Sequence, residues 1–322
     1  MFDPIILSRA QARLSEGRAE REARAVRRRD NIYANLPDIE LIDAEMRTGL
    51  LRAVREAFSG NPGCEIAMET CRERNLALRA KRSELLQANG YPPGVMDNPP
   101  ECLLCSDTGF SDGAPCACLR LICADMQWRC LDERLDLRRQ NFESFDLSLF
   151  SPEEDPLERE SPRDRMKLFL EYCRKYARRF GRDSANLLLR GDPGLGKTFL
   201  CACIAGVVSA GPHWVIYETS VSAVALMEGD KFSRDFSSGE QTERLFECDL
   251  LLLDDLGAEF STPFSHAALF SLLSARISGR RPTVATTVLR EEDIRRRYPP
   301  QLTSRLESFE LLPLFGADLR RK

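Results

Sequence analysis

Chemistry is most clearly encoded between positions 191 and 198, where Gly191-Asp192-Pro193-Gly194-Leu195-Gly196-Lys197-Thr198 fits G-x-x-x-x-G-K-[ST] at every fixed position. Glycines there let the backbone turn tightly and aim its N–H groups at phosphate oxygens. Lys197 is expected to neutralise the β/γ-phosphates, and the Thr198 hydroxyl to ligate Mg²⁺. The apolar run Leu187 to Arg190 predicts a strand leading into the loop. Lys197 to about Ser209 predicts a helix whose positive end faces the same phosphates. That strand and helix are what separate a phosphate loop from a chance match in a glycine-containing turn.

A second group lies downstream. Leu250-Leu251-Leu252-Leu253-Asp254-Asp255 reads as a buried strand ending in two carboxylates. Burying both charges would be costly, so they are expected at the strand's open C-terminal end beside the loop. Asp254 is then the Mg²⁺-side carboxylate, and Asp255 orients or deprotonates an attacking water. An ordinary Asp-Asp turn is the plainer alternative, which the upstream loop weakens. An Asn-Lys-x-Asp guanine motif is absent from the sequence, which favours adenine and hence ATP.

Twelve cysteines are many for a reducing compartment. Cys102-x-x-Cys105 and, ten residues on, Cys116-x-Cys118 form two close pairs of the kind that closes a thiolate tetrahedron around Zn²⁺. Asp107-Thr108-Gly109 supplies turn chemistry after the first pair. The second pair is one residue tighter than C-x-x-C, so Cys123 and Cys130 stand as alternative members. A redox pair or plain core cysteines are the competing readings. Four protein ligands leave no open catalytic position, making such a zinc structural. Cys201 and Cys203, on the helix after the loop, read as small buried thiols.

These groups need elements to hold them. The first 90 residues or so read as helical: Ile6 to Arg29 is dense in Arg and Glu, and Leu41, Leu50, Leu51, Val54 and Phe58 mark an amphipathic stretch. A third stretch, Pro62 to Asn89, stops at Gly90-Tyr91-Pro92-Pro93. The basic run Arg27-Arg28-Arg29 reads first as a solvated helix face and second as a DNA or partner contact. An acidic, proline-containing stretch, Ser151 to Pro162, reads as a connector. Beyond it, short apolar runs at Asn186–Arg190, Trp214–Thr219, Asp249–Asp255, Pro282–Thr287 and Phe309–Leu314 alternate with helical patterns. Such strands, apolar throughout and spaced by helices, predict a parallel sheet covered on both faces, an α/β fold. The expected organisation is a helical partner-binding region over 1–98, a cysteine module over 99–140, a linker over 141–162 and an ATPase domain over 163–322. Net charge is −4, which argues against a constitutive electrostatic nucleic-acid binder. No run reaches the roughly 20 apolar residues of a membrane span, and the N-terminus lacks signal-peptide features. No membrane partner and a cytoplasmic location are expected.

Taken together with Asp254-Asp255-Leu256-Gly257-Ala258-Glu259, Asn141-Phe142-Glu143-Ser144-Phe145-Asp146, Arg297-Tyr298, Thr303-Ser304-Arg305-Leu306 and Gly316-Ala317-Asp318-Leu319-Arg320, the chain resembles the DnaC/DnaI-type AAA+ helicase loaders. It is similar in particular to their longer, cysteine-bearing form from Gram-positive lineages. The resemblance implies a P-loop AAA+ parallel-sheet ATPase core behind a helical N-terminal domain with a small zinc module. It further implies that Arg305 is an arginine finger reaching ATP in a neighbouring subunit, and that Arg320 is the sensor-2 arginine near the γ-phosphate. For both, a surface arginine is the bland alternative. Implied partners are a hexameric replicative helicase, single-stranded DNA, and further copies of the chain in an ATP-dependent oligomer. Phe232, Phe236, Thr262 and Phe264 are the candidate DNA contacts, against a core role for the phenylalanines.

The chain departs from the family at the sensor-1 strand. Thr283-Val284-Ala285-Thr286-Thr287-Val288 has no Asn, leaving Thr287 as a shorter substitute and predicting slow hydrolysis or a switch that mainly senses bound ATP. The chain also ends without room for a helical lid. Rival functions are an ATP-binding adaptor without turnover and an IstB-like transposition helper; a small-molecule kinase is less favoured, because no substrate lid is evident.

Overall fold

The computed structural model describes residues 2–58, 64–92, 94–232 and 236–321. Two compact units emerge, Gln11–Cys116 and a larger one formed by Met1–Ala10 with Ala117–Lys322. Among the described residues, no helix is long and apolar enough to cross a membrane.

The smaller unit contains most of α1 (Pro4–Asn35), then α2 (Pro37–Phe58) and α3 (Cys64–Ala88). Pro62, the expected start of the third helix, lies outside the described residues. Helix α3 ends as the glycine predicted. Gly90 takes a φ of 78° while Tyr91 N–H reaches Leu86 O at 3.0 Å and Gly90 N–H reaches Gln87 O at 3.0 Å, the paired bonds of a Schellman cap. Ile32, Ile39 and Leu86 form its small core. Buried Asp43 is held by Tyr33 Oη at 2.7 Å and Arg82 at 2.9 Å. Arg27, Arg28 and Arg29 are exposed on α1, as a solvated face requires. A two-stranded hairpin, β1 (Phe110–Ser111) and β2 (Ala114–Pro115), completes this unit. Its turn residues Asp112 and Gly113 have φ of 52° and 76°, which suits the tight twist of a two-residue loop.

The larger unit is built on a five-stranded sheet of β3 (Leu187–Arg190), β4 (Val215–Thr219), β5 (Leu250–Leu256), β6 (Thr283–Thr287) and β7 (Glu310–Pro313), in spatial order β4-β5-β6-β3-β7. Every pairing is parallel. Helices α4 (Ala117–Leu135), α5 (Pro162–Arg178) and α6 (Lys197–Ser209) supply one buried cluster, centred on Leu170, Cys173, Leu200 and Ile204. Helices α7 (Ser220–Phe232), α8 (Phe236–Glu247), α9 (Pro263–Ser278), α10 (Glu291–Arg297) and α11 (Pro300–Glu307) supply the other, around Leu251, Leu253, Leu269 and Leu302. Both sheet faces are therefore covered, which is why its strands carry unbroken apolar runs. Cys201 and Cys203 are buried core residues.

Strand β5 differs from expectation at its end. It continues through Leu256, so Asp254 lies inside the strand, 3% exposed, while Asp255 faces out. Three hydroxyl groups, from Thr198, Tyr217 and Thr286, offset the cost of that burial.

Candidate functional site

The phosphate loop joins β3 to α6. Gly194 and Gly196 adopt φ of 79° and 83°, a region that other residues enter at a cost of about 1–2 kcal/mol. Gly191 is needed for a different reason: a Cβ there would stand 2.4 Å from the carbonyl oxygen of Leu314. Asp192 and Pro193 are exposed at the tip, and Leu195 anchors the loop in the core. The first turn of α6 presents Lys197 and Thr198. Lys197 Nζ donates to the carbonyls of Gly191 at 2.7 Å and Asp192 at 2.9 Å. Burial pushes its amine below the ordinary lysine range, while Asp255 and Asp254 pull the other way. An ammonium satisfied by its own loop is poised to exchange those carbonyls for phosphate oxygens.

Asp254 is the hub. Its carboxylate accepts from Thr198 Oγ1 at 3.0 Å, from Tyr217 Oη at 2.9 Å and from Thr286 Oγ1 at 2.5 Å. Asp255 has a φ of 52° and is pinned at both backbone ends. Its N–H donates to Thr286 Oγ1 at 2.9 Å, and its carbonyl accepts from Ser220 Oγ at 2.7 Å. Strain of this kind persists only where surroundings over-determine it. Partial loss of water pushes the Asp255 carboxyl up, Asp254 adds to that, and Lys197 and Arg320 oppose it. A carboxyl so raised, with its tip facing solvent, is suited to accept a proton from water.

The C-terminal segment closes over the loop. Leu319 N–H bonds Gly194 O at 3.2 Å, and the Asp318 side chain occupies the space where a Gly194 Cβ would project. Arg320 follows, exposed, its charge near enough to bear on both Lys197 and Asp255.

Other expected positions sit differently. Thr287 is buried with its hydroxyl turned to Leu256 O at 2.6 Å; the neighbouring Thr286 is the one that meets Asp254. Arg305 is exposed on α11, with Nε 3.2 Å from Ser274 Oγ and its guanidinium over the Phe270 ring. Thr262 caps α9 in a reciprocal bond pair with Ser265, and Phe264 is half-buried against the core. The exposed ring of that loop is Phe260, 87% accessible. It follows Glu259, which is buried and accepts from Tyr298 Oη at 2.6 Å and Gly257 N–H at 2.9 Å, with Arg297 alongside. The side chains of Phe232 and Phe236 lie outside the described residues. Sequence reasoning missed Tyr217, Thr286 and Asp318 as neighbours of the loop. For the first two, a signal existed: polar residues at the C-terminal ends of parallel strands, where ligands bind.

Cys102, Cys105, Cys116 and Cys118 bring their sulfurs within 4.8 Å of one another. Cys102 Sγ and Cys116 Sγ are 3.7 Å apart, close to the roughly 3.8 Å edge of a tetrahedron with 2.3 Å zinc–sulfur bonds. Asp107 braces the first pair by accepting from Cys102 N–H at 2.8 Å and Glu101 N–H at 3.1 Å, and it pairs with Arg21. Cys123 is buried on α4 and Cys130 exposed, and neither belongs to this group. The donor set fits zinc.

A parallel sheet with a glycine-rich loop leading into a helix, and an acid from a nearby strand bonded to that helix's first threonine, is a P-loop ATP-binding fold. Residues 175–295 match the family described as IstB-like ATP binding protein. That match takes in the glycine-rich loop and the acidic strand, and it is a likeness of this segment to that ATP-binding family. It is 25% identical over 138 residues to the replicative helicase loader DnaC of Escherichia coli (strain K12), covering 42% of this chain and 56% of that one. The chain thus spans about half the length of the curated relatives it matches. Among solved structures, it is similar to the DnaC helicase loader (TM-score 0.45, 16% identity, 56% of this chain and 99% of that chain). It is also similar to DnaI (TM-score 0.43, 20% identity, 57% and 93%).

Proposed function

We propose that the chain is an ATP-switched loader that grips a hexameric replicative helicase and places it on single-stranded DNA. The observation that carries this reading is the arrangement of Lys197, Thr198, Asp254 and Asp255 as one hydrogen-bonded and electrostatically coupled cluster, with Arg305 presented elsewhere, on an exposed helix. A nucleotide bound by the first group and met by a neighbour's Arg305 would tie assembly to ATP. Asp255 supplies the base for hydrolysis, Thr198 and Asp254 hold Mg²⁺, and Arg320 reads the γ-phosphate. Zinc, held by the four cysteines, would fix the fold of its module. The helical region over 1–98 binds the helicase, 99–140 is the zinc module, 141–162 the linker and 163–322 the ATPase. The name of the curated relatives supports the loader role, and Phe260 joins Thr262 and Phe264 as a candidate contact for DNA bases.

Pull-down with a replicative helicase, with and without ATP, tests the reading: ATP-dependent capture supports it, and absence of capture in both states refutes it. A second reading, an ATP-binding adaptor without turnover, is favoured by Thr287, whose hydroxyl faces Leu256 instead of the nucleotide side. Phosphate release with helicase and single-stranded DNA present separates the two. The family description keeps a transposition helper as a third, for which capture of a transposase would decide.

A further inference from the structure

We infer that Tyr217 is a positioning residue for the magnesium carboxylate, and that Arg134 of α4 holds Tyr217 in place. The inference rests on the reading of Asp254 as the Mg²⁺-side acid. It starts at the edge of the sheet. Among the described residues, strand β4 pairs only with β5, so its outer backbone needs other partners. Helix α4 provides them: Gln127 Oε1 accepts from Val215 N–H at 3.1 Å, Gln127 Nε2 donates to His213 O at 2.8 Å, and Arg134 Nη1 donates to Tyr217 O at 2.5 Å. Arg134 also forks onto Glu218 at 2.7 and 2.8 Å, and its guanidinium lies 5.1 Å from the centre of the Tyr217 ring. Backbone and ring of one residue are thus fixed by one side chain.

The other end of Tyr217 does the positioning. Its hydroxyl donates to Asp254 Oδ2. A phenolic O–H is a donor at neutral pH. When Thr198 turns to the metal, Tyr217 and Thr286 are the remaining hydroxyl donors on that carboxylate among the described residues. Without the phenol, one oxygen loses its fixed direction and the carboxylate can rotate off the metal.

A fluorescent ATP analogue titrated with magnesium, on the full chain, tests this. Tyr217→Phe should raise the magnesium needed for half-maximal binding about tenfold, the scale of one hydrogen bond to a charged group. Arg134→Gln should shift it in the same direction by less, and serves alone if Tyr217→Phe fails to fold. Asp254→Asn is the reference arm and should shift it most. If Asp254→Asn moves the curve and the folded Tyr217→Phe does not, the inference is overturned and the magnesium reading stands. Were Tyr217→Phe to weaken binding equally in EDTA and in magnesium, a merely structural role would replace positioning. No shift in Asp254→Asn would overturn both.

Discussion

Substituting alanine for glycine at two positions of the larger unit should move stability in opposite directions. At Gly191 the added Cβ would lie 2.4 Å from Leu314 O and 3.1 Å from Leu195 Cδ1, the first roughly 1 Å inside normal contact. The obstructing oxygen is backbone, and it cannot retreat freely. Leu314 N–H is bonded to Arg190 O at 2.7 Å, so moving the end of β7 stretches a ladder bond beside the loop. Overpacking of this kind costs about 1–3 kcal/mol, and the rigid obstacle places Gly191→Ala in the upper half of that range. Gly229 lies inside α7, and a Cβ added there would have nothing within 4 Å of it. Alanine at that position removes backbone freedom from the unfolded chain and should stabilise by about 0.5–1 kcal/mol. The same chemical change should therefore separate the two variants by about 3 kcal/mol. Both tryptophans of the chain, Trp128 and Trp214, lie in the larger unit. Urea unfolding followed by tryptophan fluorescence thus reports on that unit. A Gly191→Ala protein within about 0.5 kcal/mol of wild type, or both variants moving together, would refute the packing argument.

Three further outcomes follow from the site and its supports. The Asp255 carboxyl is raised in the folded chain, so this group favours folding below its unfolded pKa and loses that contribution as pH rises through the folded value. Asp255→Asn should then raise the urea midpoint at pH 7 and leave it nearly unchanged at about pH 3 or below, roughly a unit under the ordinary aspartate pKa, where the carboxyl is mostly neutral in both the folded and the unfolded chain; a variant that gains no more on wild type at pH 7 than at the lower pH would contradict the shift. Metal analysis should find one zinc per chain, lost in Cys102→Ser/Cys105→Ser, whereas a folded, zinc-free wild type would dismiss the cysteine site. Arg276 is fully buried and donates to the carbonyls of Leu245 (2.8 Å), Cys248 (3.0 Å) and Pro282 (2.7 Å). Arg276→Met strands those acceptors and should cost on the order of 3 kcal/mol by calorimetric unfolding, while a loss under about 1 kcal/mol would show that they find other donors.

The parts of the fold that could be read from the residues were those with a periodic or stereochemical signature. Five apolar runs became β3 to β7 because parallel strands covered on both faces cannot alternate. Gly90 ended α3, and the loop's fixed pattern located the start of α6. What escaped was side-chain direction across the sheet. Nothing in Thr286-Thr287 says which hydroxyl faces Asp254, since a one-residue change of phase reverses the faces of a strand; the pairing of Leu256 with Thr287 after a register shift in β5 settles it. Burial of Asp254 was likewise illegible, because its cost is offset by Tyr217, 37 residues away in sequence. Phe260 could not be told from Phe264 by type alone. One is exposed because Glu259 before it is tied down by Tyr298 and Gly257, and the other packs on the core.

Calorimetric titration of the full chain with ATP and magnesium tests the central claim most directly. Saturable uptake of one nucleotide per chain, abolished by Lys197→Ala, is the predicted result. No uptake by the wild type, or undiminished affinity once the lysine is gone, would contradict it.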